Sequence, residues 1–313
     1  MQTAGGDTFG LTWDPARKLF LHVARGSVPD REDLLDDPVA RAKRVIGIFE
    51  SRDMERWRYQ GLGLDLDDDD AFGRRYQHWT MQPFNHGNQY LGLLQVSAIR
   101  APGTINRVEL LSSRDGRSWR YVSRHQEFMS RGPKGRWDST PEILLTAGPP
   151  LVVGDQIYLY FTARQRPAWF IGMARLRRDR FAGLRAGEGQ PVIASTTPGG
   201  TLDIDHVWDG RQVPYVYTKA VRVLGRRLEV NIEAGPSGAV RVSLHKPYAA
   251  PKDRGAEVIG AFSAAECNPV QGDGTRLEVR WKNGPDLSEV VGKDVVLMFQ
   301  LKNATLWSYR FAE

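Results

Sequence analysis

Two carboxylic acids stand close together at Asp138 and Glu142, directly after Trp137, and no other pair of acids in the sequence is better placed for chemistry. Two carboxyl groups can divide acid and base roles, with one protonated to assist a leaving group and the other ionised as base or nucleophile. A neighbouring indole could stack on the face of a sugar ring. The plainer interpretation is that Asp138 caps a turn and Glu142 pairs with an arginine, and the sequence leaves both open.

A second polar group lies in the segment from residue 75 to residue 86. His78 and Gln82 interleave with Trp79 and could line a polar pocket, although a structural hydrogen bond is an equally simple role for His78. His86 belongs to the sequence NHGN at residues 85–88, which is typical of a solvated turn.

The sequence predicts no metal site, because no spacing of His, Cys or carboxylate residues matches a known ligand set. The acidic run at residues 65–70 could bind calcium through oxygen ligands. It lacks the glycine and the distal Glu of an EF-hand loop, so a solvated acidic loop is the favoured interpretation. We therefore expect no cofactor, with calcium as the alternative.

The elements that position these residues are indicated by a repeat. The sequence SRDGRSW at residues 113–119 has a near copy, SRDMERW, at residues 51–57, and each follows an apolar strand. A repeat of this period in an all-β chain is typical of propeller blades. The Asp and Ser side chains can bind backbone donors of the turn while Trp packs between strands, so we predict a structural role for the repeat.

Three such units can be counted in residues 1–196, and the third loses part of the repeat. Closed propellers have about four to eight blades, so the sequence predicts a partial propeller or one that closes by association with another copy. After residue 197 the pattern changes to plain alternation of apolar and polar residues, as in LEVNIE at residues 228–233. Residues 197–313 are therefore predicted to form a β-sandwich.

Composition excludes several classes of protein. The 313 residues carry a formal charge of +6, but the arginines are scattered among acids, which argues against a nucleic-acid partner. A single cysteine excludes an intrachain disulfide. No apolar segment is long enough to cross a bilayer, and the first residues contain no signal peptide.

The chain resembles bacterial five-bladed propeller proteins of the glycoside hydrolase family 32 or 43 type. The resemblance rests on residues 44–53, 90–94, 135–138 and 149–155, and on the C-terminal pattern that includes ECNP at residues 266–269. It covers nearly the whole chain and implies an all-β fold, a five-bladed type of propeller followed by a sandwich, with an extracellular or periplasmic location. About two further blades normally precede the point where this chain begins.

In such propellers the acids come from different blades, near the starts of the innermost strands. This geometry selects Asp7, Asp138 and Glu142 as catalytic candidates, with Asp7 or Asp138 as base or nucleophile and Glu142 as acid. His78, Trp79, Gln82, Trp137 and Trp169 are the candidate substrate-binding residues. Glu266 stands in a sequence that resembles the acid signature of family 32, but it lies within the sandwich pattern, so we predict a structural role.

The leading hypothesis is a glycoside-hydrolase-like protein that acts on a polysaccharide or oligosaccharide. The rival is a non-catalytic propeller that binds carbohydrate through aromatic stacking and polar side chains. A third hypothesis is a module that associates with itself through unpaired blade edges. Whether the chain is an enzyme, and which sugar it meets, is not decided by the sequence.

Overall fold

The computed structural model describes residues 9–29, 42–64, 76–99, 104–124, 126–129, 132–139, 142–145, 148–165, 168–186, 207–208, 211–247, 257–282, 284 and 286–313. The chain divides into two compact units, Met1–Leu176 and Arg177–Glu313. Within the described residues both units are built from antiparallel strands, and the one helical segment is a short 3-10 turn at Leu287–Val290. The predicted all-β fold class is confirmed.

Sheet 1 is a four-stranded meander whose strands follow one another in space as they do in sequence. Its strands are β1 (Phe9–Asp14), β2 (Leu19–Pro29), β3 (Ala42–Ser51) and β4 (Arg58–Leu62). The turn between β1 and β2 forms because the Asp14 carboxylate accepts hydrogen bonds from the backbone N–H groups of Ala16 and Arg17, at 2.9 and 3.0 Å.

Sheet 2 repeats this meander. Its strands are β5 (Tyr76–His86), β6 (Gln89–Ile99), β7 (Thr104–Ser113) and β8 (Arg120–Tyr121). The two sheets pack face to face over a shared apolar core, to which each contributes alternate residues of its strands. Leu21 and Ile48 of sheet 1, and Leu94 and Leu111 of sheet 2, are almost fully buried there.

Sheet 3 has three strand positions. Its strands are β9 (Glu142–Leu145), β10 (Leu151–Val153), β11 (Gln156–Gln165) and β12 (Ala168–Arg177). β9 pairs with residues 161–164 of β11, and β10 pairs with residues 156–158 of the same strand. The two short strands therefore occupy one interrupted edge of the sheet. Three meander sheets of propeller-blade form therefore make up the described part of the first unit.

The second unit is built around two long strands, β18 (Arg227–His245) and β20 (Asp294–Ala312), that pair along almost their whole length. The shorter strands are β13 (Leu184–Ala186), β14 (Val207–Trp208), β15 (Arg211–Gln212), β16 (Tyr215–Tyr217), β17 (Val221–Arg222) and β19 (Asp273–Val279). A register shift between Ala234 and Ala239 divides the long pair into two halves. Both halves contribute to one core, as expected for the predicted sandwich.

The alternation seen in the sequence places the apolar residues on the core side of this unit, but several polar residues of the opposite face are buried as well, among them Asn231, Ser243 and His245. Leu228, Val230 and Ile232 are fully buried in the core. The side-chain oxygen of the buried Asn231 is satisfied by a hydrogen bond from Arg180 at 2.9 Å. β13 lies before residue 197, the expected start of the sandwich, and pairs with β20 of this unit.

Candidate functional site

The first strands of sheets 1 and 2 run side by side in the same direction. Gln82 Nε2 donates to the carbonyl of Leu11 at 3.3 Å, and three residues later Asn85 Nδ2 donates to the carbonyl of Trp13 at 2.6 Å. A Cβ on Gly10 would lie 2.1 Å from the carbonyl oxygen of Met81, so only glycine permits this approach. The starts of β1 and β5 consequently define one end of the unit.

The start of β9 lies at the same end. Thr80, Gln95 and Val108 form one rung across sheet 2, and Val108 is bridged to Met129. Met129 packs against the cluster that contains Ala163, and Ala163 faces Ile143 of β9. The first residues of β9 therefore lie level with the first residues of β5.

His78 lies at this end with only 4% of its surface exposed, and its Nε2 is 3.1 Å from the Tyr121 hydroxyl. On the same face, Arg107 Nε donates to Glu109 at 2.5 Å, and Glu109 is 1% exposed. Burial raises the pKa of Tyr121, and the negative charge of Glu109 raises it further. The tyrosine is therefore a neutral hydrogen-bonding group at physiological pH.

Tyr121, Arg107 and Glu109 were missed as site residues in the sequence. The available signal was the strand at residues 107–111, in which charged residues at 107 and 109 occupy the same face as Leu111. A charged residue on the core-facing side of a strand needs a partner, and this requirement marks a polar cluster.

Trp79 forms the second part of this end. It occupies a bulge in β5, between His78 and Thr80, where the pairing with β6 shifts by one residue. Two guanidinium groups lie over its ring, that of Arg44 at 4.0 Å and that of Arg25 at 5.1 Å from the ring centroid. Such cation–π contacts hold the arginines beside the indole.

Gln82 and Gln95 are buried polar residues of sheet 2. Gln82 is 4% exposed and also donates to the carbonyl of Pro83 at 2.8 Å, so its amide group ties β5 to β1. Gln95 is fully buried, and neither of its side-chain amide atoms has a hydrogen-bond partner within the described residues. It stands in the rung that leads to β9, and the sequence did not single it out.

The segment before β9 carries Trp137 and Asp138. Trp137 stacks on Phe161 with centroids 5.9 Å apart and also contacts Phe170, so its position is fixed by packing. Asp138 has 24% of its side chain exposed, and its Oδ1 faces Arg136 Nε at 3.9 Å. Its backbone carbonyl accepts a hydrogen bond from Gly132 at 3.1 Å, which closes the preceding loop.

The other predicted residues lie as follows. Glu142 is the first residue of β9 and faces Arg164, and only its backbone is described. Trp169 follows the connection from β11 to β12 and is 54% exposed, on the face opposite to Phe170 and Trp137. Asp7 and the acidic run at residues 65–70 lie outside the described residues.

The opposite end of the unit holds a network of charges between sheets 1 and 2. Glu50 accepts hydrogen bonds from Arg17 at 2.9 Å and from Arg117 at 2.7 Å. Arg17 also donates to the Tyr90 hydroxyl at 3.1 Å, and that hydroxyl donates to Asp14. Burial and the hydrogen bond to Asp14 raise the pKa of Tyr90 to about 12. Every carboxylate of this network is engaged, so the network serves to join the sheets.

The two copies of the repeat form the same turn beside this network. Ser51 and Asp53 bind the turn in the first copy, and Ser113 and Asp115 do so in the second, in each case through the backbone N–H groups that follow. Each Trp indole donates to the carbonyl three residues earlier. The repeat is therefore a structural turn in both copies.

Within the described residues, no group of three or more His, Cys, Asp or Glu side chains is arranged to hold a metal ion. Cys267 is buried, and Glu266 beside it lies 3.8 Å from Lys282 at the surface of the second unit. No described helix is both long enough and apolar enough to span a membrane.

No protein-family model matches the sequence, and no curated protein matches it. Among solved structures, the chain is similar to an N-acetylgalactosamine deacetylase from F. plautii, solved with blood group B trisaccharide, at 18% identity and a TM-score of 0.40 over 55% of this chain and 50% of that one. An endo-arabinase from Bacteroides thetaiotaomicron matches at 13% identity and a TM-score of 0.36 over 54% of this chain and 49% of that one.

A glycoside hydrolase family 32 β-fructofuranosidase from Bombyx mori matches at 10% identity and a TM-score of 0.35 over 97% of this chain and 79% of that one. The chain spans about half the length of the first two structures. At these values the similarity carries none of their activities over to this chain.

Proposed function

We propose that this chain acts on carbohydrate as a glycoside-hydrolase-like protein, with its site at the starting ends of β5 and β9. One observation carries the proposal. The segment with Asp138 and Glu142 leads into β9 at the same end of the unit at which His78 and Trp79 begin β5. In this proposal the two carboxyl groups that hydrolysis of a glycosidic bond requires come from the segment that leads into β9, and Trp79 with its arginines contributes to substrate binding at the same end.

The proposed reaction uses the two carboxyl groups in different protonation states. Glu142 as the acid would protonate the glycosidic oxygen while the bond from the anomeric carbon to that oxygen breaks. Asp138 or Asp7 as the ionised group would either deprotonate an attacking water or attack the anomeric carbon itself. The arginines beside Trp79 would donate hydrogen bonds to sugar hydroxyls or carboxylates.

The test is release of reducing sugar from a panel of polysaccharides and aryl glycosides by the purified chain. We expect Glu142→Gln and Asp138→Asn each to lower the rate by about 10²-fold or more, because each removes one half of the acid and base pair. Glu289→Gln, at an exposed position in the second unit, is the matched control and should leave the rate unchanged.

The second candidate function is binding without cleavage, and it is favoured by the contacts of Arg25 and Arg44 with the Trp79 ring. In this case no sugar is released, but a glycan binds in affinity electrophoresis or calorimetry. Arg44→Ala should weaken that binding, whereas Arg120→Ala, at an exposed position on β8, should not. If the panel shows neither release nor binding, the proposed carbohydrate function is wrong.

A further inference from the structure

Sheet 2 lies between the other two sheets of the first unit, because β5 contacts sheet 1 while β6 and β7 contact β9 of sheet 3. Sheet 1 therefore has an outer face that points away from sheet 2, and this face is aromatic. Phe9, Trp13, Trp57 and Tyr59 are 52, 43, 36 and 38% exposed there. Ring contacts through His22 and Phe49 link Phe9, Trp57 and Tyr59. Trp13 packs on Phe20, which lies two residues before His22 on the same face of β2, and we call the whole surface the sheet 1 outer face.

Sheet 3 also has an exposed apolar side. Gly172 and Phe170 contact Trp137, so the residues that alternate with them point the other way. These are Trp169, Ile171 and Met173, which are 54, 76 and 52% exposed. Together with Leu151, Val153 and Tyr160 they form the sheet 3 outer face.

Each face is comparable in size with the largest apolar patch of a typical monomer, which is often functional. Sheet 1, with four strands about 4.8 Å apart and about five residues of 3.3 Å in each, covers roughly 300 Å² in plan, and sheet 3, with three strand positions, covers roughly 240 Å². Contiguous apolar surface of this size commonly marks an interaction site. Together the two faces give roughly 500 Å² per copy, which approaches the ~800 Å² that each partner buries in a standard interface.

Charge does not oppose burial of the aromatic face. His22 lies at its centre, in contact with Phe9, Phe49 and Trp57. Burial lowers the pKa of His22, so the imidazole is neutral at physiological pH and can be covered by apolar side chains at little cost.

We propose that the partner for both faces is a second copy of this chain, with the sheet 1 outer face of each copy packed on the sheet 3 outer face of the other. A twofold axis makes the two contacts identical, so a single dimer covers all four faces. Two copies bring six sheets, which lies within the four to eight that closed propellers contain. A contact between unlike faces that closes on itself avoids open-ended assembly.

The proposal is tested by the mass of the protein in solution, measured by light scattering over a dilution series. We expect a mass of two chains for the natural sequence. Ile171→Glu on the sheet 3 outer face and Trp13→Arg on the sheet 1 outer face should each give single chains, because each places a charge against apolar side chains. Leu224→Glu, at a position 74% exposed in the second unit, is the control and should remain a dimer.

A mixture of the two variants separates this arrangement from other dimers. In a mixed pair, one contact joins two natural faces, and the other brings together the two introduced charges, which are of opposite sign. Mixing Ile171→Glu with Trp13→Arg should therefore restore the dimer. Near-ultraviolet circular dichroism shows whether each variant is folded.

Two results would overturn the proposal. A natural protein that is monomeric at every concentration would do so. A dimer that Trp13→Arg breaks but Ile171→Glu does not would also do so, in favour of like faces packing together.

Discussion

At the scale of single residues, Glu50 connects parts of the first unit that no sequence motif had linked. It is 8% exposed and accepts hydrogen bonds from Arg17 on the first hairpin and from Arg117 in the second repeat turn. Burial alone would raise the pKa of Glu50, but the hydrogen bonds and charges of Arg117 and Arg17 outweigh it and hold the pKa below its ordinary value.

Replacing this carboxylate should weaken the contact between sheets 1 and 2. We expect Glu50→Gln to lower the free energy of unfolding by about 1.5–3 kcal/mol at neutral pH, since hydrogen bonds to a charged group are lost. Because the folded-state pKa is lowered, this contribution is complete above the ordinary Glu pKa of about 4.3 and disappears as the pH falls through the folded value.

Urea unfolding followed by tryptophan fluorescence at several pH values measures this difference. Glu55→Gln is the control, because Glu55 is exposed and its carboxylate makes no hydrogen bond that the structure shows among the described residues. A difference between Glu50→Gln and the natural protein that stays constant down to strongly acidic pH would contradict the assignment.

At the scale of elements, the repeat turn occurs twice with one difference in its backbone. The fourth residue of each copy has positive φ, at 73° for Gly116 and 66° for Met54. Glycine adopts this conformation without strain, whereas a residue with a Cβ does not. Gly116 in the second copy is therefore unstrained, whereas the backbone of Met54 in the first copy is strained.

Met54→Gly should raise the free energy of unfolding by about 1 kcal/mol, because the strain of positive φ is released. Met54 is 45% exposed, so little packing is lost with its side chain. Met54→Ala separates the two effects, because it removes the long side chain but keeps the Cβ. An equal gain from Met54→Ala would show that φ is not the cause. Thermal unfolding of the natural protein and the two variants measures these differences in stability.

The meander sheets could be predicted from the sequence because much of the strand pattern depends on local sequence. Alternation, turn residues and the repeat indicated the meanders because each depends on neighbours along the chain. The polar cluster of His78 and Tyr121 brings together residues from separate strands, so it requires the register of sheet 2. The residue types of such a cluster can be read from the chain, but the pairing that unites them cannot.

The long strands of the second unit also depend on pairing that cannot be read from the chain. The segments at 228–232 and 240–244 were each recognisable by alternation, but they belong to a single strand, β18. The register shift that joins them lies at the sequence GPSG, residues 235–238, which from the chain alone is typical of a turn. Pairing with β20 on both sides makes it a bulge instead.

At the scale of the whole molecule, labelling of the single cysteine measures the opening of the second unit without interference from the first. Cys267 is 1% exposed in the core of the second unit, and burial raises its pKa to about 11. The reactive thiolate is therefore scarce in the folded state, even where reagent can reach it. The sequence contains no other thiol, so labelling at this position is free of interference.

We expect Cys267 to react with iodoacetamide only when the second unit opens, far more slowly than an exposed thiol. A Leu224→Cys variant supplies that exposed thiol within the same unit, and mass spectrometry counts one fast and one slow label on each chain. Equal rates for the two thiols would mean that this core is open in solution. The slow rate, measured against urea, gives the stability of the second unit.

The pairing of β18 with β20 also has a consequence for synthesis. Each sheet of the first unit is made of successive strands, so a newly made strand finds its partner already present. In the second unit, Arg227 faces Ala312 and His245 faces Val296. At roughly 5–20 residues per second on the ribosome, β18 waits several seconds for β20 with its apolar side uncovered. That interval is when a nascent chain of this protein is most open to chaperones and to aggregation.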